Sequence, residues 1–118
     1  MQDRTQTVDI WTYPDATWST IDLTGFGVEA ADGGIGSIDE ATPETGSGYL
    51  VVDTGPWIFG RKVMLPAGVI ERVDRDNRKV YVSVTKDQVQ NAPSFDEASY
   101  RDEAYREKLA SHYRRGWG

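Results

Sequence analysis

Residues 48–96 hold a regular succession of strand-forming segments and turns, and this succession constrains the fold more than any other feature of the chain. The segment reads GYLVVDTGPWIFGRKVMLPAGVIERVDRDNRKVYVSVTKDQVQNAPSFD. Short apolar runs alternate with turns rich in glycine, proline, aspartate and asparagine, as in proteins built from short antiparallel strands. We therefore predict a mostly β fold, a closed or nearly closed antiparallel barrel over residues 23–85.

The individual strands are predicted from period-two alternation and from the turns between them. Phe26, Val28 and Ala30 mark one strand, after which an Asp-Gly-Gly turn reverses the chain. The strand that starts at Arg61 is bent by Pro66 and Gly68 and then continues. The other expected elements are a strand led by Ile35 and Ile38, a strand at Tyr49–Asp53, a hairpin turn at Asp74–Arg78 and a last strand through Val80, Val82 and Val84.

Two helices are expected after the strands. A capping box at residues 85–88, in which a threonine side chain caps the helix and a glutamine reaches back, predicts a short helix that a proline ends. A second capping box at residues 94–97 predicts a helix over residues 97–113 that buries Tyr105 and Leu109.

Composition excludes several classes of protein. The chain has 118 residues, 38% of them apolar, which suits one domain with a small core. The net charge of −6 repels phosphate, so no nucleic-acid partner is expected. No run approaches the roughly 20 apolar residues of a membrane span, and the N-terminus does not resemble a secretory signal, so we expect no membrane insertion. The lack of cysteine fits a reducing compartment, and we expect a cytoplasmic protein.

Charge is unevenly distributed along the chain. Residues 1–60 hold ten acidic residues and one basic residue, whereas residues 61–118 hold nine acidic and twelve basic residues. Two interpretations are open: the two halves attract each other within one molecule, or opposite faces of two copies meet.

The ordered set of motifs resembles the PRC-barrel family, named after the cytoplasmic domain of the photosynthetic reaction-centre H subunit. The resemblance covers residues 23–96 and implies a small β-barrel that serves as an adaptor or assembly module, with no shared catalytic residues. It divides the chain into an N-terminal Trp-containing segment (1–22), a PRC-barrel-like domain (23–96) and a C-terminal helix and tail (97–118). The matching motifs are Asp32–Gly36, Tyr49–Val52, Gly60–Pro66, Val69–Asp74 and Val80–Val82.

No residue pattern indicates a catalytic, cofactor or metal site. Gly25–Ala30 has the spacing of a dinucleotide-binding loop, but strand alternation runs through it and no helix is expected directly after it. A single histidine, His112, and no cysteine leave no nitrogen and sulfur ligand set for zinc. Asp39 and Glu40 lie among loop carboxylates that we interpret as solvated charges, and acid–base catalysis is the opposing hypothesis.

The glycine-bracketed segment 55–60 is the strongest candidate for function. Burying a large apolar side chain contributes roughly 1.5–3 kcal/mol, so Trp57, Ile58 and Phe59 are costly to leave in water. They cap the end of the barrel or anchor a protein interface. Tyr105 and Trp117 are candidates for the same interface.

We therefore predict a non-catalytic protein-interaction or assembly module without a cofactor, which forms a homodimer through Trp57 or Phe59 and has an unidentified protein as a further partner. The alternative is a small-ligand-binding barrel with a cavity lined by Val51, Val63 and Val82, although small barrels are normally filled by their own side chains. The aromatic residues Trp11, Tyr13 and Trp18 are expected to pack on the surface of the domain or against a partner.

Overall fold

The fold is one six-stranded mixed sheet followed by two helices, which confirms the mostly β prediction. The computed structural model describes residues 10–42, 48–55, 62–93, 95–96, 98 and 100–114. The strands are β1 (Gly27–Ala30), β2 (Gly33–Ala41), β3 (Tyr49–Asp53), β4 (Lys62–Pro66), β5 (Ile70–Asp74) and β6 (Lys79–Val82), and the helices are α1 (Lys86–Gln90) and α2 (Glu103–Arg114). Short 3-10 helices cover Ala16–Thr20 and Ala67–Val69. The strands lie in the order β4-β3-β2-β1-β6-β5.

The hairpins form where the sequence predicts them. β1 and β2 pair antiparallel around a turn at Ala31 and Asp32, with Gly33 and Gly34 already in β2, and Val28 and Ala30 are buried between less buried neighbours. Gly36 in β2 has a φ of +147°, and a Cβ there would overlap the backbone carbonyl of Asp53 in β3. Only glycine combines that backbone conformation with so close an approach of the neighbouring strand.

The prediction of an antiparallel barrel is wrong in two respects. β1 and β6 pair parallel, and no ladder joins β4 to β5 among residues 62–74, so the sheet does not close. The cause is the bend at residues 66–69, where the chain turns through a 3-10 helix without reversing. β4 and β5 therefore run in the same direction. As a result, β5 and β6 each run opposite to the direction that they would have in an antiparallel meander.

The two edge strands of the sheet are consecutive in sequence, and this requires a strongly curled sheet. Four Cα steps separate Pro66 from Ile70, a span of at most about 15 Å. The edges of a flat six-stranded sheet would lie roughly 24 Å apart, given a strand spacing of about 4.8 Å. Curling brings the edges together and leaves a seam between them.

Residues 10–13, which we call the N-terminal arm, lie across one end of the sheet, beside the end of β2, the start of β3 and the 3-10 helix that follows β4. The Gly48 N–H donates to the Trp11 carbonyl oxygen at 2.7 Å, and the Gly68 N–H donates to that of Ile10 at 2.6 Å. Ile10, Trp11 and Tyr13 are buried in the core. Trp11 thus packs on its own domain, which is the first of the two arrangements expected for the N-terminal aromatic residues. Trp18 is half-buried and packs against the core.

α1 confirms the first capping box, because the Thr85 hydroxyl accepts the Gln88 N–H and the Gln88 side chain accepts the Thr85 N–H. α2 begins at Glu103, six residues after the predicted start at residue 97. A turn precedes it, in which the Tyr100 N–H donates to the Asp96 carbonyl oxygen at 2.8 Å. Both end residues of the second predicted capping box, 94 and 97, lie outside the described residues.

α2 packs against β4 and covers the core beside the arm. Leu109, Ala110 and Tyr113 are buried, as predicted for Leu109, whereas Tyr105 is only half-buried. None of the helices in the described part of the chain is long and apolar enough to span a membrane.

Candidate functional site

Four of the five predicted partner-binding residues lie outside the described residues. These are Trp57, Ile58, Phe59 and Trp117. The structure does define where the chain leaves and rejoins the sheet around segment 56–61, since β3 and β4 pair up to Asp53 and Lys62. Asp53 and Gly55 are exposed at this end of the hairpin, and the Gly55 N–H donates to the Asp53 carboxylate at 2.9 Å.

Tyr105, the fifth candidate, makes an internal contact. Its hydroxyl donates to the Pro93 carbonyl oxygen at 3.3 Å, and its ring packs partly against the core. The bond ties α2 to the chain that follows α1. A half-buried position leaves part of the ring for a partner, but the residue has a structural role of its own.

A cleft of about 720 Å³ lies beside this contact, between the end of α1 and the outer face of α2. His112 lies in its wall, and its Nε2 is 2.6 Å from the Gln88 carbonyl oxygen. A carbonyl can only accept, so Nε2 carries the proton and the imidazole ties the two helices together. The cleft is lined by Asn91, Pro93, Ala104, Glu107, Lys108, Ser111 and His112.

Glu40 forms the most connected polar cluster of the described residues. Its carboxylate accepts the Tyr49 hydroxyl at 2.8 Å and the Tyr100 hydroxyl at 3.1 Å, and Arg101 lies 3.5 Å from it. The rings of Tyr49 and Tyr100 meet edge to face, with centroids 5.9 Å apart. The tyrosine cluster, as we call Glu40, Tyr49, Tyr100 and Arg101, thus fastens the chain before α2 onto the sheet.

The electrostatics of the tyrosine cluster keep both hydroxyls protonated. Burial, and then the hydrogen bond to the anionic Glu40, raise the pKa of Tyr49 above its ordinary value. The same two causes raise the pKa of Tyr100. A neutral phenol that donates to a carboxylate is a stable structural pair, and neither tyrosine hydroxyl is poised near neutral pH for proton transfer.

The other suggestive carboxylates also have structural partners. Asp39 pairs with Lys62 at 2.9 Å across two strands. Asp32 accepts the backbone N–H of Lys86 at 2.9 Å, at the start of α1. Asp74 accepts the side-chain and backbone N–H groups of Asn77, which lower its pKa, in a hairpin turn.

The structure also bears on the hypotheses of a dinucleotide-binding loop, a metal site and a ligand cavity within the barrel. The glycine motif at residues 25–30 runs into β1 and its hairpin, with no helix after it, so it has none of the geometry of a phosphate-binding loop. No group of His, Asp and Glu residues that could hold a metal ion occurs among the described residues. Val51, Val63 and Val82 are at most 2% exposed within the core, and none of them lines the 720 Å³ cleft.

The tyrosine cluster and the arm are the two arrangements that sequence reasoning missed. Glu40 and Tyr100 lie 60 residues apart, and no local pattern links them. The sequence held one signal of the arm, namely glycine at positions 48 and 68. Both positions lie beside strands, and a Cβ at either would overlap the arm.

A scan against models of known protein families finds no match to this chain, and a search of curated proteins finds no similar sequence. The resemblance to the PRC-barrel family thus stays a prediction from the motifs.

Proposed function

We propose that this chain is a non-catalytic protein-interaction or assembly module, built on a PRC-barrel-like sheet, that forms a homodimer. The observation that carries the proposal is how the chemically versatile side chains are used. Glu40 fastens two tyrosines, Asp39 pairs with Lys62, and His112 joins two helices. Each of these groups holds the fold together, which is the pattern of a scaffold rather than of a reaction centre.

The dimer contact is assigned to Trp57 and Phe59. The flanking residues Asp53 and Gly55 are exposed, and Thr54 between them is buried. Large aromatic side chains next in sequence to exposed residues support an interface anchor rather than a cap on the core. A two-fold dimer needs only one self-complementary patch.

Light scattering of the native protein at micromolar concentration tests the proposal. We expect twice the chain mass of 13.2 kDa. The double variant Trp57→Ser/Phe59→Ser should be a folded monomer. The matched control Tyr81→Ser, which removes a half-buried aromatic ring beneath Arg72, should remain a dimer. A native mass near 13.2 kDa would refute the dimer, and a dimer that survives the double substitution would refute the assigned contact.

A further inference from the structure

The cleft between the end of α1 and the outer face of α2 has two walls that hydrogen bonds hold together. Near one end, the His112 Nε2–H donates to the Gln88 carbonyl oxygen at 2.6 Å. Two helical turns earlier in α2, the Tyr105 hydroxyl donates to the Pro93 carbonyl oxygen at 3.3 Å. The volume of about 720 Å³ lies within the range of roughly 300–1,000 Å³ that small-molecule sites occupy. A cleft whose walls are already in place loses little entropy when a ligand enters.

The α2 wall of the cleft is a single stripe of the helix. Its residues recur with the spacing i, i+3, i+4, i+7 and i+8, which places them on one face over roughly 12 Å of helix. Ala104 begins the stripe and His112 ends it, with the exposed side chains of Glu107, Lys108 and Ser111 between them. The facing wall is formed by two residues that follow α1, Asn91 and Pro93.

Four polar side chains of this cleft take no part in holding the fold together. Among the described residues, no hydrogen bond or ion pair involves the side chain of Asn91, Glu107, Lys108 or Ser111. Side chains at i and i+1 of a helix do not face each other, so the two charged groups do not neutralise one another. The carboxylate of Glu40, in contrast, has three partners within the fold. The cleft therefore offers charged and polar groups that the fold itself leaves unused.

The chemistry of the lining selects a small molecule that carries both charges. Glu107 can accept from an ammonium group, and the Lys108 ammonium and the Ser111 hydroxyl can donate to a carboxylate. Ala104 and Pro93 line the same cleft and offer apolar surface beside these groups. A ligand with only one charge would leave either Glu107 or Lys108 without a partner.

From these observations we infer that the cleft binds a free α-amino acid with an aliphatic side chain. Its ammonium group lies against Glu107, its carboxylate against Lys108 and Ser111, and its side chain against Ala104. The site lies on the helices, outside the sheet, and requires no second copy of the chain. It therefore goes beyond the proposed function, and each of the two can fail while the other holds.

Three related compounds test the site on the full native chain. L-leucine carries both charges, 4-methylpentanoate lacks the ammonium group, and 3-methylbutylamine lacks the carboxylate. We expect L-leucine to give saturable amide shifts at Asn91, Ala104 and Ser111 in nitrogen-15 NMR spectra. Half-saturation should fall at roughly millimolar concentration, because contacts to exposed charges contribute little each. The two singly charged compounds should bind at least tenfold more weakly. An L-leucine titration without saturable shifts up to 50 mM would overturn the inference, and equal binding of all three compounds would overturn the assigned chemistry.

Two substitutions then assign the contacts. Glu107→Gln and Lys108→Met each remove one charge and keep most of the side-chain volume, and each should raise the dissociation constant for L-leucine at least fivefold. Glu103→Gln is the matched control, since Glu103 is an exposed acidic residue of α2 that does not line the cleft, and it should bind as the native chain does. Native affinity in both cleft variants would overturn the site. Light scattering reports separately on the dimer, so a native monomer that binds L-leucine would refute the proposed dimer and leave the cleft site standing.

Discussion

Glu40 and Asp39 both lie in β2 and not in a loop as expected, and replacing Glu40 should show whether its carboxylate holds the fold together or is merely solvated. In Glu40→Ala, the Tyr49 and Tyr100 hydroxyls lose their shared acceptor, although both rings are only 6% exposed. A hydrogen bond to a charged group contributes about 1.5–3 kcal/mol when buried. The Glu40 side chain is 38% exposed, so we take about 1 kcal/mol per bond after solvent screening and expect a loss of about 2 kcal/mol in the free energy of unfolding.

The neighbouring Asp39→Ala is the matched control, because it removes the same charge one residue away. The Asp39–Lys62 pair is 48% and 37% exposed, and such pairs contribute about 0–1 kcal/mol. Urea denaturation with an unchanged m value measures both losses. Amide exchange adds a local readout, since the Tyr100 N–H that bonds to Asp96 should lose protection first in Glu40→Ala. Equal losses in the two variants would refute the assigned role of Glu40.

Two further predictions concern stability. Gly36→Ala should lower the free energy of unfolding by about 2–4 kcal/mol in thermal denaturation, because it combines backbone strain with overlap on β3. Gly34→Ala, whose Cβ meets only the carboxylate end of the Glu29 side chain at 3.1 Å, should lose less than about 1 kcal/mol, and similar losses in both would contradict the reasoning. Burial raises the pKa of Tyr13 to about 12, so its contribution to stability is complete below about pH 10, the unfolded value. That contribution is lost as the pH rises towards 12, at up to about 1.4 kcal/mol per pH unit. Urea midpoints at pH 8 and pH 11 should show a smaller decline for Tyr13→Phe than for the native chain, and parallel declines would exclude Tyr13 as a cause.

Local features of the fold could be predicted from the sequence because their causes lie within a few residues. The strand at Tyr49–Asp53, the hairpin turn at Asp74–Arg78 and the capping box of Thr85 are of this kind. α2 was placed too early because Ser94 and Glu97 have the spacing of a capping box, a pattern that occurs without a helix behind it. Tertiary contacts decide which such pattern is used.

The parallel pairing of β1 and β6 depends only in part on a feature that the sequence shows. Pro66 and Gly68 predict a bend after which the strand continues, and a bend without reversal gives β4 and β5 the same direction. All pairs could still have been antiparallel if β5 rather than β6 had paired with β1. The strand directions were therefore implicit in the sequence, whereas the parallel pair depends on the choice of β6 as the neighbour of β1, through contacts about 50 residues apart.

The candidate site was less predictable than the fold. Aromatic residues near a terminus can pack on their own domain or against a partner, and Trp11 does the first: it is 7% exposed, because Gly48 and Gly68 let the backbone of the arm approach. Side-chain size alone cannot distinguish an anchor for a partner from an arm that packs on its own chain. The distinction depends on which positions lack a Cβ and on how the sheet curls.

The uneven charge of the chain is used within the molecule. Three ion pairs, Asp39–Lys62, Glu29–Lys79 and Glu40–Arg101, each join an acidic residue of the first half to a basic residue of the second half. This supports the intramolecular interpretation of the asymmetry, and it leaves apolar contacts as the expected main source of affinity in the proposed dimer. Apolar burial is not screened by salt, whereas attraction between exposed charges decays within about 8–10 Å at physiological ionic strength.

We therefore expect the dimer dissociation constant to change less than about threefold between 50 and 500 mM sodium chloride, because salt screens charges and leaves apolar contacts intact. Sedimentation equilibrium at both salt concentrations measures it, and unchanged circular dichroism serves as the control for folding. Weakening by tenfold or more at high salt would show that opposite charges on two copies hold the dimer together. In that case the ion pairs within one chain, which contribute about 0–1 kcal/mol each, would be too weak to account for the uneven distribution of acidic and basic residues along the sequence.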